Sequence, residues 1–391
     1  MLYIFVKIIV RLGLLIYCRK VVFTNSNLLK EKGPLLLACN HPNSFFDAIL
    51  LGAFFKQPVH FLARGDAFKN PLAAKILSAL KLIPIYRLKE GKEYLALNDA
   101  TFERCKQILK EGGIVLIFSE GLCENQWKLR PFKKGTARIA LNTWKHFDMI
   151  HQFRILPVSL NYNSFRRFSK HVVIAFGEPI IYNDIPLEIN EAEQIVILNK
   201  LLYVRLEKKT LIEKGNSDII QFLITNLQLI KNQIHNAIAV LKEKQSLLLT
   251  SDYKTIISRL AKNKKITFIN TTIFSDLLLL VILFIPALIG LLIHLPLYLP
   301  LNNFIKKKTN GTVFYHSALF GALIILYPIY VLLILLLLTV IFKNPVYFLL
   351  ILIMPLLALL HLVWKDCFES ITNYFKLSGK EIIKLKQLLQ Q

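Results

Sequence analysis

Acidic residues are scarce in this 391-residue chain: 25 Asp and Glu stand against 49 Lys and Arg, a formal charge of +24. That imbalance excludes acid-rich disordered chains and points to anionic partners, namely a membrane surface, an acidic substrate or nucleic acid. Cysteine is scarce as well. Cys18, Cys39, Cys105, Cys123 and Cys367 are odd in number and widely spaced, with no CxxC pair and no Cys/His cluster. The pattern argues against a disulfide framework and a metal site, and for reduced thiols facing the cytosol. No internal repeat or low-complexity linker is present. No G-x-S-x-G occurs, so a hydrolase with a nucleophile elbow has no support. The positive charge is dispersed and no recognition motif accompanies it, which argues against nucleic acid as the partner.

What the chain does have is apolar sequence. The hydrophobic fraction is 54%, above the usual range of roughly 45–50%, and the excess is gathered into a few runs. Leu277–Ile305 carries no charged residue over 29 positions, Thr309–Phe342 none over 34, and Asn344–Trp364 none over 21. About 20 apolar residues at 1.5 Å each cross a hydrocarbon core of roughly 30 Å, whereas buried core helices seldom run so long. These runs are therefore expected to enter a membrane. Lys262, Lys264 and Lys265 precede the first run and Lys306, Lys307 and Lys308 follow it, which puts both ends on the cytoplasmic side. Pro286, Pro296 and Pro300 interrupt it, leaving a re-entrant hairpin, an interfacial pair and one long span all open. The next two runs, joined by Lys343-Asn344-Pro345, read as an out-and-back hairpin ending in a basic cytoplasmic tail. His294, His316 and His361 within the runs read as packing or interfacial residues.

Residues 1–29 begin MLYIFVKIIVRLGLLIYCRK. Lys7 and Arg11 interrupt the apolar core and no small-x-small cleavage site follows, so a helix lying in the membrane surface is expected rather than a cleaved signal. Residues 30–186 change character. Short apolar strands (Leu35–Cys39, Val59–Ala63, Ile83–Tyr86, Ile114–Phe118, Ile155–Leu160, Val172–Phe176) are separated by helical stretches, which predicts an α/β domain with a mostly parallel sheet. Residues 187–265 read as two or three amphipathic helices, and residues 266–391 as a membrane domain of transmembrane α-helices.

The chemistry concentrates at strand ends, where open α/β sheets place their sites. Asn40-His41-Pro42-Asn43-Ser44-Phe45-Phe46-Asp47 follows the first such strand. Pro42 disfavours helix at His41, and Asn43 or Ser44 can cap a helix starting at Phe45. A turn can then fold Asp47 back onto the imidazole, freeing its other nitrogen to accept a proton from an alcohol. A purely structural Asn-His-Pro turn is the plain alternative. Phe118-Ser119-Glu120-Gly121 ends another strand. Arg130, Lys133, Lys134 and Arg138 then surround Gly135 at an expected helix start, a combination that binds phosphate or is merely a solvated basic loop. Arg87 follows a further strand.

These pieces, in this order, resemble the glycerolipid acyltransferases, the family of glycerol-3-phosphate and lysophosphatidate acyltransferases. NHPNSFFD resembles that family's N-H-x-S-x-x-D with one extra residue, Tyr86-Arg87 its second block, Phe118-Ser119-Glu120-Gly121 its F-P-E-G-T-R, and Leu156-Pro157-Val158 its apolar V-P-V strand. The resemblance covers roughly residues 30–180. Five residues separate His41 from Asp47 where four are commoner, and Leu122-Cys123 stands where the family has Thr-Arg. The resemblance implies an O-acyltransferase of phospholipid biosynthesis, moving an acyl group from acyl-CoA or acyl-carrier protein to a hydroxyl of glycerol-3-phosphate or 1-acylglycerol-3-phosphate. His41 is then the general base and Asp47 its orienter. Glu120 and Gly121 shape the acceptor pocket, and Arg87, Arg130 and Lys133 hold the phosphate. No metal and no cofactor beyond the acyl donor is implied. Membrane lipids are the expected partners, at a cell membrane with the catalytic domain facing the cytoplasm. A non-catalytic membrane scaffold or transporter with a regulatory α/β domain is the alternative. The runs carry no intramembrane acid or base for an ion pathway, which weighs against it.

Overall fold

The computed structural model describes residues 2–86, 96–145, 152–186, 188–227, 234–261 and 273–390. The chain divides into two compact units, one of residues 1–11, 22–161 and 173–212, the other of residues 12–21, 162–172 and 213–391.

The seven described strands are β1 (Cys18–Phe23), β2 (Leu35–Cys39), β3 (Val59–Arg64), β4 (Leu82–Ile85), β5 (Ile114–Phe118), β6 (Arg154–Tyr162) and β7 (Lys170–Phe176). They form one sheet in the order β1-β7-β6-β2-β5-β3-β4. β2 runs parallel to both β5 and β6, and β3 parallel to both β4 and β5. The expected mostly parallel α/β fold is present. The texts Leu-Leu-Leu-Ala-Cys and Ile-Val-Leu-Ile-Phe are continuous apolar runs because central parallel strands are covered on both faces. The register sets Cys39 opposite both Phe118 and Val158, so β2 and β5 end level with one another while β6 runs on to Tyr162. The loops that carry the motifs therefore leave the sheet side by side.

The helices of the first half are α1 (Leu2–Tyr17), α2 (Phe45–Phe54), α3 (Pro71–Ala79), α4 (Leu97–Lys110), α5 (Gly135–Lys145) and α6 (Glu191–Lys209). Asn70 caps α3 by accepting from the Leu72 and Ala73 amides, with Pro71 pre-set at the first position. α4, α5 and α6 share one core with the sheet, through Ile108 and Leu109, Ile139 and Trp144, and Leu198, Leu202 and Leu206. Each such side chain contributes about 1.5–3 kcal/mol on burial.

The sequence suggested helix through the N-terminal stretch, but α1 stops at Tyr17. The β-branched and aromatic Val21-Val22-Phe23 that follow suit a pleated edge, and they complete β1 instead. The amphipathic region holds four described helices rather than two or three: α6, α7 (Ser217–Thr225), α8 (Ala237–Leu248) and α9 (Ser251–Ala261). Gly215, at φ +79°, makes the break between the first two. Lys262, Lys264 and Lys265 lie outside the described residues.

The C-terminal elements are α10 (Ile273–Ile282), α11 (Phe284–Lys308), α12 (Tyr315–Phe342), α13 (Leu350–Tyr374) and α14 (Gly379–Gln390). Three helices, Phe284–Lys308, Tyr315–Phe342 and Val346–Tyr374, are long and apolar enough to cross a membrane. The proline-bearing first run breaks at Leu283 into a short and a long helix. Where α11 meets α13, a Cβ on Gly290 would lie 2.4 Å from the Leu357 carbonyl oxygen, so the two backbones nearly touch. Two histidines in these helices bond to their neighbours. His294 Nδ1 donates to the Gly290 carbonyl at 2.6 Å, while Nε2 sits 3.0 Å from the Tyr327 hydroxyl. His361 Nδ1 donates to Ala287 at 3.2 Å. Within the same unit, α13 is latched by Arg19–Asp366 at 2.7 Å and Arg167–Glu369 at 2.6 Å.

Candidate functional site

β2 ends at Cys39 and the chain turns at once. Asn40 fixes the exit by closing a two-way bridge to β6: its Nδ2 donates to the Leu160 carbonyl at 3.2 Å and its Oδ1 accepts the Leu160 amide at 2.8 Å. His41 follows, then a tight turn, then α2. In the first turn of α2, Asp47 reaches back and places Oδ2 2.9 Å from His41 Nδ1. The same oxygen accepts the Asn43 amide at 2.8 Å. A carboxylate oxygen that already accepts one N–H leaves the imidazole to donate from Nδ1, so Nε2 carries the free lone pair. Asp47 is fully buried, whereas His41 retains 9% exposure. The orienting acid is thus dry and the ring keeps a way out. Phe118, the last residue of β5, lies flat against the imidazole with centroids 3.7 Å apart and planes 10° off parallel.

Between His41 and Asp47 one residue takes up an unusual backbone conformation. Ser44 adopts φ +54°, ψ −149°, a region that glycine favours, and its carbonyl accepts the Asp47 amide at 3.1 Å. Ser44 precedes α2 but makes no side-chain cap bond, so the capping role anticipated for Asn43 or Ser44 falls on the backbone.

The loop after β5 faces this turn. Glu120 is buried and accepts from three groups. Its Oε2 takes the His41 backbone amide at 3.3 Å and Arg130 Nε at 3.1 Å, while Oε1 takes the Arg130 amide at 3.2 Å. Arg130 Nη2 also donates to Glu120 Oε2 and to the Leu122 carbonyl, and Nη1 is 3.5 Å from Glu124. The guanidinium expected to bind phosphate is therefore beside His41, but most of its fork is engaged by the protein. Gly121 sits at φ +70°, and a Cβ there would lie 2.8 Å from Lys133 Cγ, so the Lys133 stem rests on the glycine. The Lys133 amide donates to the Ser119 carbonyl at 2.8 Å, and the Lys133, Lys134 and Arg138 side chains are exposed. Those three side chains are open to solution.

His41, Asp47, Glu120, Gly121, Arg130 and Lys133 are thus brought together in one unit. Arg87 lies outside the described residues. Tyr86 before it is pinned by Asn98 of α4, which exchanges two 2.9 Å bonds with its backbone. The sequence marks Cys123 only as a departure from the family pattern, and it does not single out Asn125. Cys123 Sγ accepts the Ser44 amide at 2.8 Å, and Asn125 Nδ2 donates to the Pro42 carbonyl at 2.7 Å. The signal for Cys123 was its position, where the family pattern has arginine. Burial, aided by the nearby Asp47 carboxylate, pushes the Cys123 thiol up to about 12.

The sequence model of the acyltransferase family matches residues 20–161, the segment that holds every residue of this constellation. Over residues 20–161 the chain is similar to the acyltransferase family. The domain is similar to the chloroplastic 1-acyl-sn-glycerol-3-phosphate acyltransferase of Brassica napus, at 29% identity over 30% of this chain and 32% of that protein. It is similar to the 1-acyl-sn-glycerol-3-phosphate acyltransferase of Borreliella burgdorferi at 24% identity over 47% and 68%, and to that of Bacillus subtilis at 28% over 30% and 55%. The chain spans about a third of the length of the Brassica protein. A crystal structure of the 1-acyl-sn-glycerophosphate acyltransferase of Thermotoga maritima superposes at a TM-score of 0.37 with 19% identity, covering 52% of this chain and 78% of that one, a likeness too loose to add to the sequence matches.

Proposed function

We propose that the chain is a membrane-bound O-acyltransferase of phospholipid biosynthesis, transferring a fatty acyl group from acyl-CoA or acyl-carrier protein to the hydroxyl of 1-acylglycerol-3-phosphate. The observation that carries this reading is the 2.9 Å His41–Asp47 contact at the level ends of β2 and β5, with cations around it. The relatives named above are described as 1-acyl-sn-glycerol-3-phosphate acyltransferases, which favours the lysolipid acceptor. Glycerol-3-phosphate is the second reading, favoured by the five-residue spacing.

In this chemistry His41 Nε2 takes the proton of the acceptor hydroxyl as its oxygen attacks the thioester carbonyl. The new C–O bond forms, the C–S bond breaks, and the imidazolium returns the proton to the departing thiolate. The buried Asp47 carboxylate stabilises the imidazolium between those events. A thioester is already activated, so no covalent enzyme intermediate, metal or further cofactor is needed. General base catalysis contributes roughly 10²–10⁴-fold, and alignment of donor with acceptor supplies much of the rest. Lys133, Lys134 and Arg138 hold the acceptor phosphate, with Arg87 and the remaining donor of Arg130. Glu120 and Gly121 set the shape of that pocket.

The substrate explains the anchor, because a lysolipid acceptor and its diacyl product reside in the bilayer. α1 fits an interfacial helix. Ile4, Phe5, Ile8, Leu12 and Leu15 are exposed, while Lys7 and Arg11 bond to carbonyls at the end of α2. The lysines around the apolar helices favour the cytoplasmic side of a cell membrane for the acyltransferase domain. The test is purified protein in detergent with a labelled acyl-CoA or acyl-carrier protein and each acceptor in turn. Labelled diacylglycerol-3-phosphate is expected from the lysolipid. No transfer to either acceptor from either donor class would sink the reading.

A further inference from the structure

Two departures from the family pattern, the longer His-to-Asp spacing and the cysteine in place of arginine, meet at a single hydrogen bond. Within the longer spacing lies Ser44, whose φ of +54° and ψ of −149° place a side-chain-bearing residue where glycine is at home. Such backbone conformations cost on the order of 1–3 kcal/mol and persist only where the surroundings enforce them. The Ser44 amide is directed onto Cys123 Sγ at 2.8 Å. Ser44 is 2% exposed, so no bulk water stands in for that acceptor. An arginine at position 123 has five donors and no acceptor, and could not take this proton. Two residues further on, Asn125 Nδ2 donates to the Pro42 carbonyl at 2.7 Å, gripping the other side of the turn. The amide of Glu124 between them donates to the His41 carbonyl at 3.4 Å. Three consecutive residues of one loop thus hold His41, Pro42 and Ser44. The turn in its held shape delivers both the Asn43 amide and the imidazole to the same Asp47 oxygen.

We propose that Cys123 and Asn125 are positioning residues that brace the strained Ser44 turn and thereby keep Asp47 on the His41 imidazole. Neither touches a reacting atom; both act through the turn. This rests on the acyltransferase reading for its kinetic consequence but not for its structural one.

The experiment uses the full chain in detergent. Cys123→Ala is expected to lower kcat on the order of 10–100-fold, the scale of an ångström-sized misplacement, with the KM values for donor and acceptor little changed. Cys123→Ser keeps an acceptor at the same position and should retain most of kcat. Adding Ser44→Gly to Cys123→Ala should restore most of kcat, because glycine holds that φ without a brace. Asn125→Ala should follow Cys123→Ala in direction. Hydrogen exchange read by mass spectrometry on the peptide spanning residues 41–47 gives a second measure that needs no turnover, and it should quicken in Cys123→Ala and slow again in the double variant. Wild-type kcat in Cys123→Ala overturns the proposal, as does a double variant no better than the single. If the wild type itself transfers no acyl group, the enzyme reading fails, and the exchange data alone decide the brace: unchanged exchange in Cys123→Ala overturns it.

Discussion

At the scale of single residues, the His41–Asp47 pair makes the sharpest demands. His41→Ala should reduce acyl transfer on the order of 10²–10⁴-fold while the thermal unfolding profile stays that of the wild type; near-normal turnover would place the base elsewhere. Ser44→Gly alone should raise thermal stability, by about 1 kcal/mol after the entropy of the added glycine is discounted from the relieved strain; a lower unfolding temperature would contradict the strain assigned to that turn. Much of this constellation was legible in the sequence, because the pairing of an imidazole with a carboxylate in the next helical turn is a local matter. Asn125 was not, since its partner Pro42 lies 83 residues away and only the parallel register brings them together. Arg130 was legible as a cation near the site but not as the partner of Glu120, because spacing along the chain says nothing of which loops face each other.

At the scale of elements, the periodicities did what local physics allows. β2 and β5 announce themselves as unbroken apolar runs. The edge strand β1 does not, because it continues a basic, greasy helix and reveals itself only when the sheet offers it a partner. The break at Leu283 is of the same kind: the prolines show where α11 is stressed, not whether the chain turns there. Contacts between helices can still be tested one at a time. Gly290 lies so close to the backbone of α13 that Gly290→Leu should force α11 and α13 apart. A loss of 1–3 kcal/mol, the ordinary cost of overpacking, should appear as a lower midpoint in thermal scans of the detergent-solubilised protein. An unchanged midpoint would mean that the helices part without cost.

At the scale of the whole chain, the buried thiols tie stability to alkaline pH. Burial pushes Cys18, Cys105 and Cys123 up to about 12, and Cys39 well above its ordinary value. In the unfolded chain these thiols ionise near pH 8.5, whereas the folded ones stay protonated, so their contribution is complete below that pH and is lost as pH rises towards 12. The unfolding temperature should therefore fall between pH 8.5 and 11, and Cys105→Ala should flatten the fall. A slope identical to that of the wild type would remove Cys105 from the account. One further consequence belongs to the Phe118 ring. With that ring pressed along one flat side of His41, the imidazole cannot roll over during turnover. The nitrogen that Asp47 leaves open must then both receive a proton and give it up, from the one face of the ring that Phe118 does not cover.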